Sequence, residues 1–225
     1  MKFPFAANAT RIFALASLAL ALSLPSQAQT IALDFTAGGL GGAQDNSMLG
    51  WEFSLANQVT LTDLGIYDEG NDGLFNSHQI GLWTGGGTLV SSATIASGFS
   101  GSVVNSASGL GSFRFNNVSP VSLTPGSYVI GALWGIQDRD YIRTGSNNVP
   151  TPLNMAPGFS FTQLRYNVNS GFAFPASSFA RNGHFGPDLR FTTVPEPGMV
   201  VSLLGAGSLG GFMLIRRRQS RRSVK

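Results

Sequence analysis

Short apolar runs that alternate with polar residues constrain the fold of this chain most. In residues 49–55, Trp51, Phe53 and Leu55 occupy one phase, while Glu52 and Ser54 occupy the other. Such alternation places successive side chains on opposite faces of a strand. From residue 29 to about residue 194 the pattern recurs between turn-forming residues, and no helical period lasts beyond two turns. We therefore predict about eight to ten strands in an all-β, antiparallel β-sandwich or jelly-roll-like fold.

Two runs give more local predictions. Val59 and Leu61 alternate in phase, but Leu64 and Ile66 resume out of phase, which predicts a β-bulge at Thr62-Asp63. The run SYVIGALWG, residues 127–135, is apolar on both faces and follows a turn signal, so it is expected to be a central strand.

Other segments extend this strand pattern. Leu89, Ala93 and Ile95 are expected near one face of a further strand. The Pro- and Gly-rich segments 145–158 and 171–187 are predicted to be long loops, because proline does not suit a central strand.

Charge is distributed unevenly along the sequence. Residues 29–197 contain eleven acidic residues, six arginines and no lysine, whereas five arginines and one lysine follow Ile215. A nucleic-acid-binding domain would carry its basic residues on the folded part, so we exclude this class of partner. The sequence also lacks cysteine, which excludes disulfides, zinc–thiolate sites and a cysteine nucleophile.

The N-terminal segment has the features of a secretory signal peptide. Lys2 and Arg11 precede an apolar run, residues 12–24, and Ser26-Gln27-Ala28 supplies small residues before a cleavage site. The run is shorter than the ~20 residues that a membrane-spanning helix needs, which disfavours an uncleaved anchor. We expect residues 1–28 to be removed by signal peptidase, leaving an ectodomain at residues 29–193.

The C-terminal segment, residues 194–225, combines a proline motif, an apolar span and a basic tail. The uncharged span covers residues 199–215 and predicts a single, short transmembrane helix, with residues 216–225 as the basic tail. Three interpretations compete: a permanent anchor, a GPI signal and a sorting signal. The basic residues after the span argue against the GPI signal, and by the positive-inside rule they place the tail in the cytoplasm. The residues that carry this pattern are Pro195, Glu196 and Pro197 in the motif and Arg216, Arg217 and Arg218 in the orienting cluster.

This combination resembles the PEP-CTERM sorting signal of Gram-negative bacteria. The resemblance covers about the last 30 residues and implies handling by an exosortase, a membrane transpeptidase, at the inner membrane. It also implies an exopolysaccharide or biofilm context and transient membrane anchoring before delivery to the cell surface or matrix. Residues 49–135 resemble a recurrent ectodomain of such proteins. This resemblance implies a β-sandwich and does not imply any catalytic residue.

One polar loop is a candidate calcium site. Asp68, Asn71 and Asp72 lie in a Gly-rich turn between two predicted strands and offer oxygen ligands of the kind that Ca²⁺ prefers. Gly70 and Gln79 stand where an EF-hand loop would need further oxygen ligands, so the ligand set is incomplete. A surface turn that uses Gly and Asn for positive φ is the favoured interpretation, and no cofactor is expected.

We do not expect an enzyme. His78 lies in a predicted strand and is interpreted as a half-exposed structural histidine rather than a base. Asp138 and Asp140 flank Arg139 and are interpreted as an exposed ion-pair strip rather than a catalytic dyad. Sequence spacing alone does not establish the carboxyl separation that a glycosidase needs.

A binding function fits the aromatic residues better. Alternation places Trp83 opposite the core phase, so Trp83 and Tyr141 are candidate exposed ligand-binding residues, while Trp134 fits a core or a binding role equally well. The expected function is that of an exported structural or polysaccharide-associating protein. The alternative is a lectin-like module or a glycan-active hydrolase, stabilised by calcium.

Overall fold

The computed structural model describes residues 28–36, 39–40, 46–140, 142–143, 153–168, 171–179 and 184–194. These residues contain strands but no helix, and none of them forms a helix long and apolar enough to cross a membrane. Residues 1–27 of the predicted signal peptide and the whole segment 195–225 lie outside the described residues. The strands are β1 (Thr30–Ile31), β2 (Leu33–Phe35), β3 (Gly39–Leu40), β4 (Ser47–Leu55), β5 (Val59–Glu69), β6 (His78–Thr84), β7 (Leu89–Ile95), β8 (Ser102–Asn105), β9 (Gly111–Leu123), β10 (Gly126–Trp134), β11 (Ile142–Arg143), β12 (Leu153–Met155), β13 (Phe159–Asn167), β14 (Ser177–Phe179), β15 (His184–Phe185) and β16 (Pro187–Thr193).

Two principal sheets organise these strands. A six-stranded sheet has the order β14-β13-β4-β10-β6-β7, and a five-stranded sheet has the order β1-β16-β5-β9-β8. Two small sheets, β15-β11-β3 and β12-β2, accompany them. All pairings among the described strands are antiparallel. The described part is therefore all-β, antiparallel and β-sandwich-like, with curled sheets, which confirms the predicted class.

The apolar phases of both sheets contribute to one core. Trp51 and Phe53 on β4 are fully buried there with Ile66 on β5 and Phe113 on β9. The Trp51 indole Nε1–H donates a hydrogen bond of 2.8 Å to the backbone carbonyl of Pro187 on β16. This bond joins a strand of the six-stranded sheet to a strand of the five-stranded sheet and satisfies the indole donor inside the core.

The predicted bulge in β5 is present. The register of β5 against β9 shifts between Leu61 and Asp63, and the register of β16 against β5 shifts at the same place. Thr62 Oγ1 donates to the carbonyl of Arg190 at 3.2 Å. Because the bulge resets the phase of the strand, Leu61 and Leu64 both lie in the core.

Other predictions are confirmed or corrected by the pairing. β10 is a central strand between β4 and β6, as predicted. Leu89 is exposed instead of facing the core, because the register of β6 against β7 shifts between Leu82 and Trp83 and changes the phase. The two predicted long loops contain the short strands β12, β14 and β15, which lie at sheet edges where a few hydrogen bonds suffice.

Three glycines lie in register across the outer face of the six-stranded sheet. Gly131 on β10 is opposite Gly50 on β4 and Gly81 on β6. Residues 171–176, which we name the covering loop, pack over this row. Pro175 Cγ would lie only 3.2 Å from a Cβ at Gly131. Gly81 and Gly131 therefore leave room for the loop to approach the sheet closely.

Replacing Gly81 should loosen the covering loop. A Cβ at Gly81 would overlap the Trp83 ring and lie 2.8 Å from Phe172 Cζ, so Gly81→Ala should lower the free energy of unfolding by about 1–3 kcal/mol in urea denaturation. Gly171→Ala is the matched control, because nothing lies within 4 Å of its Cβ position, and it should change stability by less than about 0.5 kcal/mol. Equal losses in both variants would contradict the packing explanation.

Asp188 on β16 is a fully buried carboxyl group. Its Oδ1 accepts a 2.8 Å hydrogen bond from the backbone N–H of Leu189, while its Oδ2 has no hydrogen-bond partner in the described part of the chain. Burial raises the pKa of Asp188 well above its ordinary value, because ionisation inside the protein lacks compensation by water.

Asp188 should make stability fall as the pH rises. The folded state holds the Asp188 proton at pH values where the unfolded chain has released it, so stability decreases between the unfolded and the folded pKa. Asp188→Asn removes this titration, and its advantage over the natural protein should grow from acid toward neutral pH. Urea denaturation at several pH values measures the difference. A difference that stays constant with pH would contradict the raised pKa.

Candidate functional site

The structure brings together three titratable side chains that are distant in sequence. His78 begins β6, and Asp138 and Asp140 lie in the segment that follows β10. β6 and β10 are antiparallel neighbours with Ala132 opposite Ile80, so the start of one strand lies beside the end of the other. His78 Nε2 is 3.5 Å from Asp138 Oδ2 and 3.6 Å from Asp140 Oδ2. We name these three residues the His-Asp-Asp cluster.

The cluster is buried, contrary to the sequence interpretation. His78 and Asp138 are fully buried and Asp140 is 3% exposed, whereas we expected a half-exposed histidine and an exposed ion-pair strip. Arg139 between the two aspartates is exposed. Alternation along the segment therefore turns both carboxylates inward together. The D-x-D spacing is the sequence signal that could have indicated this cluster. His78, however, lies about 60 residues earlier in the sequence, and the strand register brings it close.

The backbone fixes the orientation of the His78 ring. Its Nδ1 lies 3.2 Å from the carbonyl oxygen of Leu133, and Trp134 packs edge-on with ring centroids 5.0 Å apart. A carbonyl oxygen can only accept, so Nδ1 carries the hydrogen in this bond. In the neutral ring, Nε2 then presents a lone pair toward both carboxylates, and it has no hydrogen-bond partner among the described residues.

Backbone and amide donors hold the two carboxylates. Asp138 Oδ2 accepts from Asn76 Nδ2 and from the Gly135 N–H, each at 3.2 Å. Asp140 Oδ2 accepts from the Phe75 N–H at 2.6 Å. Burial raises the pKa of the Asp140 carboxyl above its ordinary value, and the adjacent Asp138 acts in the same direction.

The turn that carries the aspartates has an unusual backbone. Gln137 has φ of 60°, a left-handed conformation that disfavours residues other than glycine by roughly 1–2 kcal/mol. Such conformations persist where the surrounding contacts enforce them. Here the Asp138 Oδ1 also accepts a 3.2 Å bond from the Asp140 N–H, so the turn positions both carboxylates as one unit.

The predicted calcium ligands have different environments. Asp68 is fully buried, and its Oδ2 accepts from Arg114 Nε and Nη2, each at 2.6 Å. Its Oδ1 accepts from the Gly73 N–H at 3.2 Å. Asn71 and Asp72 are exposed, and Asn71 has positive φ, as a surface turn requires. Calcium binding by this loop stays a prediction, and the buried ion pair of Asp68 with Arg114 argues against it, because Oδ2 already accepts two charge-assisted hydrogen bonds.

Trp83 lies on the predicted face but is not exposed. It points away from the core, as the alternation indicates, yet it is only 3% exposed, because the covering loop packs on it. Its ring centroid lies 5.4 Å from that of Phe172 and 6.2 Å from that of Phe174. Trp83 is therefore wrong as an exposed ligand-binding residue. The sequence did not indicate that a later loop returns over this face.

Several predicted site residues are not described by the structure. Tyr141, the motif Pro195-Glu196-Pro197 and the cluster Arg216-Arg217-Arg218 lie outside the described residues. Trp134, by contrast, is fully buried in the core, which settles the choice that its sequence context left open.

No protein-family model matches this chain, and no curated protein matches it either.

The Asp68–Arg114 pair gives a test of the loop. Asp68→Asn leaves the buried Arg114 without its counter-charge and should lower the free energy of unfolding by about 3–5 kcal/mol. Asp72→Asn, in the same loop but exposed, should cost less than about 0.5 kcal/mol. Urea denaturation with added Ca²⁺ and with a chelator measures both. If both variants lost a stabilisation by calcium that the natural protein has, the loop would be a calcium site after all.

Proposed function

We propose that the chain is an exported, non-enzymatic protein of the cell surface or extracellular matrix of a Gram-negative bacterium. Its folded part is a β-sandwich or jelly-roll-like ectodomain with a structural or polysaccharide-associating role in a biofilm or exopolysaccharide context. Signal peptidase removes the N-terminal segment, and an exosortase-type transpeptidase reads the C-terminal one. Residues 199–215 hold the protein in the inner membrane between these two steps.

The placement of the strands carries this proposal. The first described strand begins at Thr30, just after the predicted cleavage site, and the last ends at Thr193, just before the Pro195-Glu196-Pro197 motif. The antiparallel strands of the described part thus lie between the two terminal segments. This placement fits a folded cargo between two processing segments, with Arg216–Arg218 keeping the tail on the cytoplasmic side.

The environment of the carboxylates supports a non-enzymatic role. Asp63, Asp68 and Glu52 are buried and pair with Arg190, Arg114 and Arg165, respectively. Burial alone would raise the pKa of Glu52, but hydrogen bonds from surrounding side chains, including Arg165, lower it below its ordinary value. Carboxylates committed to buried ion pairs are poorly placed to reach a polymeric substrate.

The lectin-like or hydrolase alternative has less support. It depended on Trp83 as an exposed aromatic platform, and the covering loop occupies that face. Sugar recognition through stacking needs an accessible ring face. Its remaining candidate, Tyr141, lies outside the described residues.

Two variants distinguish sorting from simple anchoring. Deleting residues 195–225 removes motif, span and tail, and should release the protein into the medium or periplasm. Replacing Pro195, Glu196 and Pro197 by alanine keeps the span and the tail, so the protein should accumulate uncleaved in the inner membrane. Fractionation and the mass of the chain in the producing bacterium measure both outcomes.

A permanent anchor makes the opposite prediction for the motif variant. The triple alanine variant would then reach its destination in the normal amount and with the normal mass. Normal surface delivery of the deletion variant would contradict both the sorting and the anchoring interpretation.

A further inference from the structure

We propose that His78, Asp138 and Asp140 bind a divalent transition-metal ion of the Zn²⁺ class, through His78 Nε2 and one oxygen of each carboxylate. This site is independent of the proposed localisation and function. The imidazole nitrogen and the two carboxylate oxygens lie within 4.8 Å of one another.

The distances fit ligands that share one ion. Two ligand atoms that each lie ~2.0–2.1 Å from a tetrahedral Zn²⁺ are separated by about 3.3–3.4 Å. His78 Nε2 is 3.5 Å from Asp138 Oδ2 and 3.6 Å from Asp140 Oδ2. Both distances are close to that separation, and all three ligand atoms lie within 4.8 Å of one another.

A hydrogen bond explains these distances less well. An N–H···O bond has a separation of about 2.7–3.2 Å, so a proton on His78 Nε2 would point at carboxylates that lie too far away. The buried Nε2 has no hydrogen-bond partner among the described residues. A metal ion bound to Nε2 would give this atom a partner and would explain why it points toward both carboxylate oxygens.

The other ring nitrogen prepares His78 for metal binding. Nδ1–H donates to the backbone carbonyl of Leu133, which leaves the Nε2 lone pair directed at the carboxylates. Histidine ligands in metal sites usually make such a bond, because it fixes both the tautomer and the ring orientation. The Phe75 N–H and Asn76 amide orient the two carboxylates in the same way.

The charge of the cluster favours a divalent cation. Two other buried carboxylates have an arginine partner, since Asp68 pairs with Arg114 and Asp63 with Arg190. The buried Asp188 forms no ion pair in the described part of the chain, and its pKa is raised. In the described part of the chain, the only basic side chain beside the carboxylates of Asp138 and Asp140 is His78, with Nε2 3.5 and 3.6 Å from their Oδ2 atoms. Two buried carboxylates without a strong counter-charge are unfavourable, and a divalent ion would neutralise both.

The imidazole ligand decides the class of ion. Ca²⁺ and Mg²⁺ prefer complete sets of oxygen ligands, whereas imidazole suits Zn²⁺ and its neighbours among the transition metals. Three protein ligands leave at least one coordination position for water. Because all three residues are buried, we assign the ion a role in holding the 135–140 turn against the start of β6.

Thermal unfolding of the full chain, purified in mild detergent and stripped with a chelator, tests the proposal. Zn²⁺ at a hundredfold excess over its dissociation constant should raise the Tm by about 5–10 °C. Titration calorimetry should give one Zn²⁺ per chain at this site, and Co²⁺ bound in its place should give a visible absorption spectrum. Asp140→Asn and His78→Gln should each weaken Zn²⁺ binding at least about tenfold.

Two control variants separate this site from adventitious binding. His184→Gln removes the second of the two histidines in the sequence, and Asp72→Asn removes an exposed acid; both should retain the Zn²⁺ effect. Asp140→Asn conserves shape, so it keeps the test available if His78→Gln does not fold. The proposal is overturned if Zn²⁺ leaves the Tm of the natural protein unchanged, or if Asp140→Asn binds Zn²⁺ as the natural protein does. It is also overturned if Ca²⁺ stabilises the protein and Zn²⁺ does not.

Discussion

Aromatic packing between the two principal sheets is the interaction on which the rest of the structure depends. Phe159 on β13 and Phe191 on β16 have ring centroids 4.7 Å apart, and Trp51 reaches across to the Pro187 carbonyl. Because the sequence lacks cysteine, no disulfide helps to hold the sheets together. Burial of each large apolar side chain contributes about 1.5–3 kcal/mol, so the core must supply the stability that small exported proteins often obtain from disulfides.

This core explains why the charged residues are arranged as they are. Strands that are buried on both faces also bury their polar positions, and a buried charge is tolerated only with a partner. The chain meets this condition with arginine in the pairs Asp68–Arg114 and Asp63–Arg190. At Asp138 and Asp140 it places a histidine instead. We interpret this difference as the mark of a site that takes its positive charge from outside the chain.

The sequence predicted what depends on local alternation and missed what depends on distant segments. The all-β class, the core phase of Trp51 and Phe53, the bulge at Thr62 and the central position of β10 follow from period-two patterns and their interruptions. Alternation places Trp83 on the correct face, but the covering loop that buries it comes about 90 residues later in the chain. The sequence does not predict the His-Asp-Asp cluster for the same reason. The D-x-D spacing gives no information about His78, which the register of β6 against β10 brings near the two aspartates.

That register also determines what a bound ion would do for the fold. An ion held by His78, Asp138 and Asp140 would link two segments of the folded chain that are separated by about 60 residues in the sequence. The cross-link would form only after β6 and β10 have paired, since the ligands meet through that pairing. Metal binding would therefore stabilise the folded state selectively. In this chain without cysteine, the ion would thus connect the start of β6 to the turn after β10, in place of a disulfide.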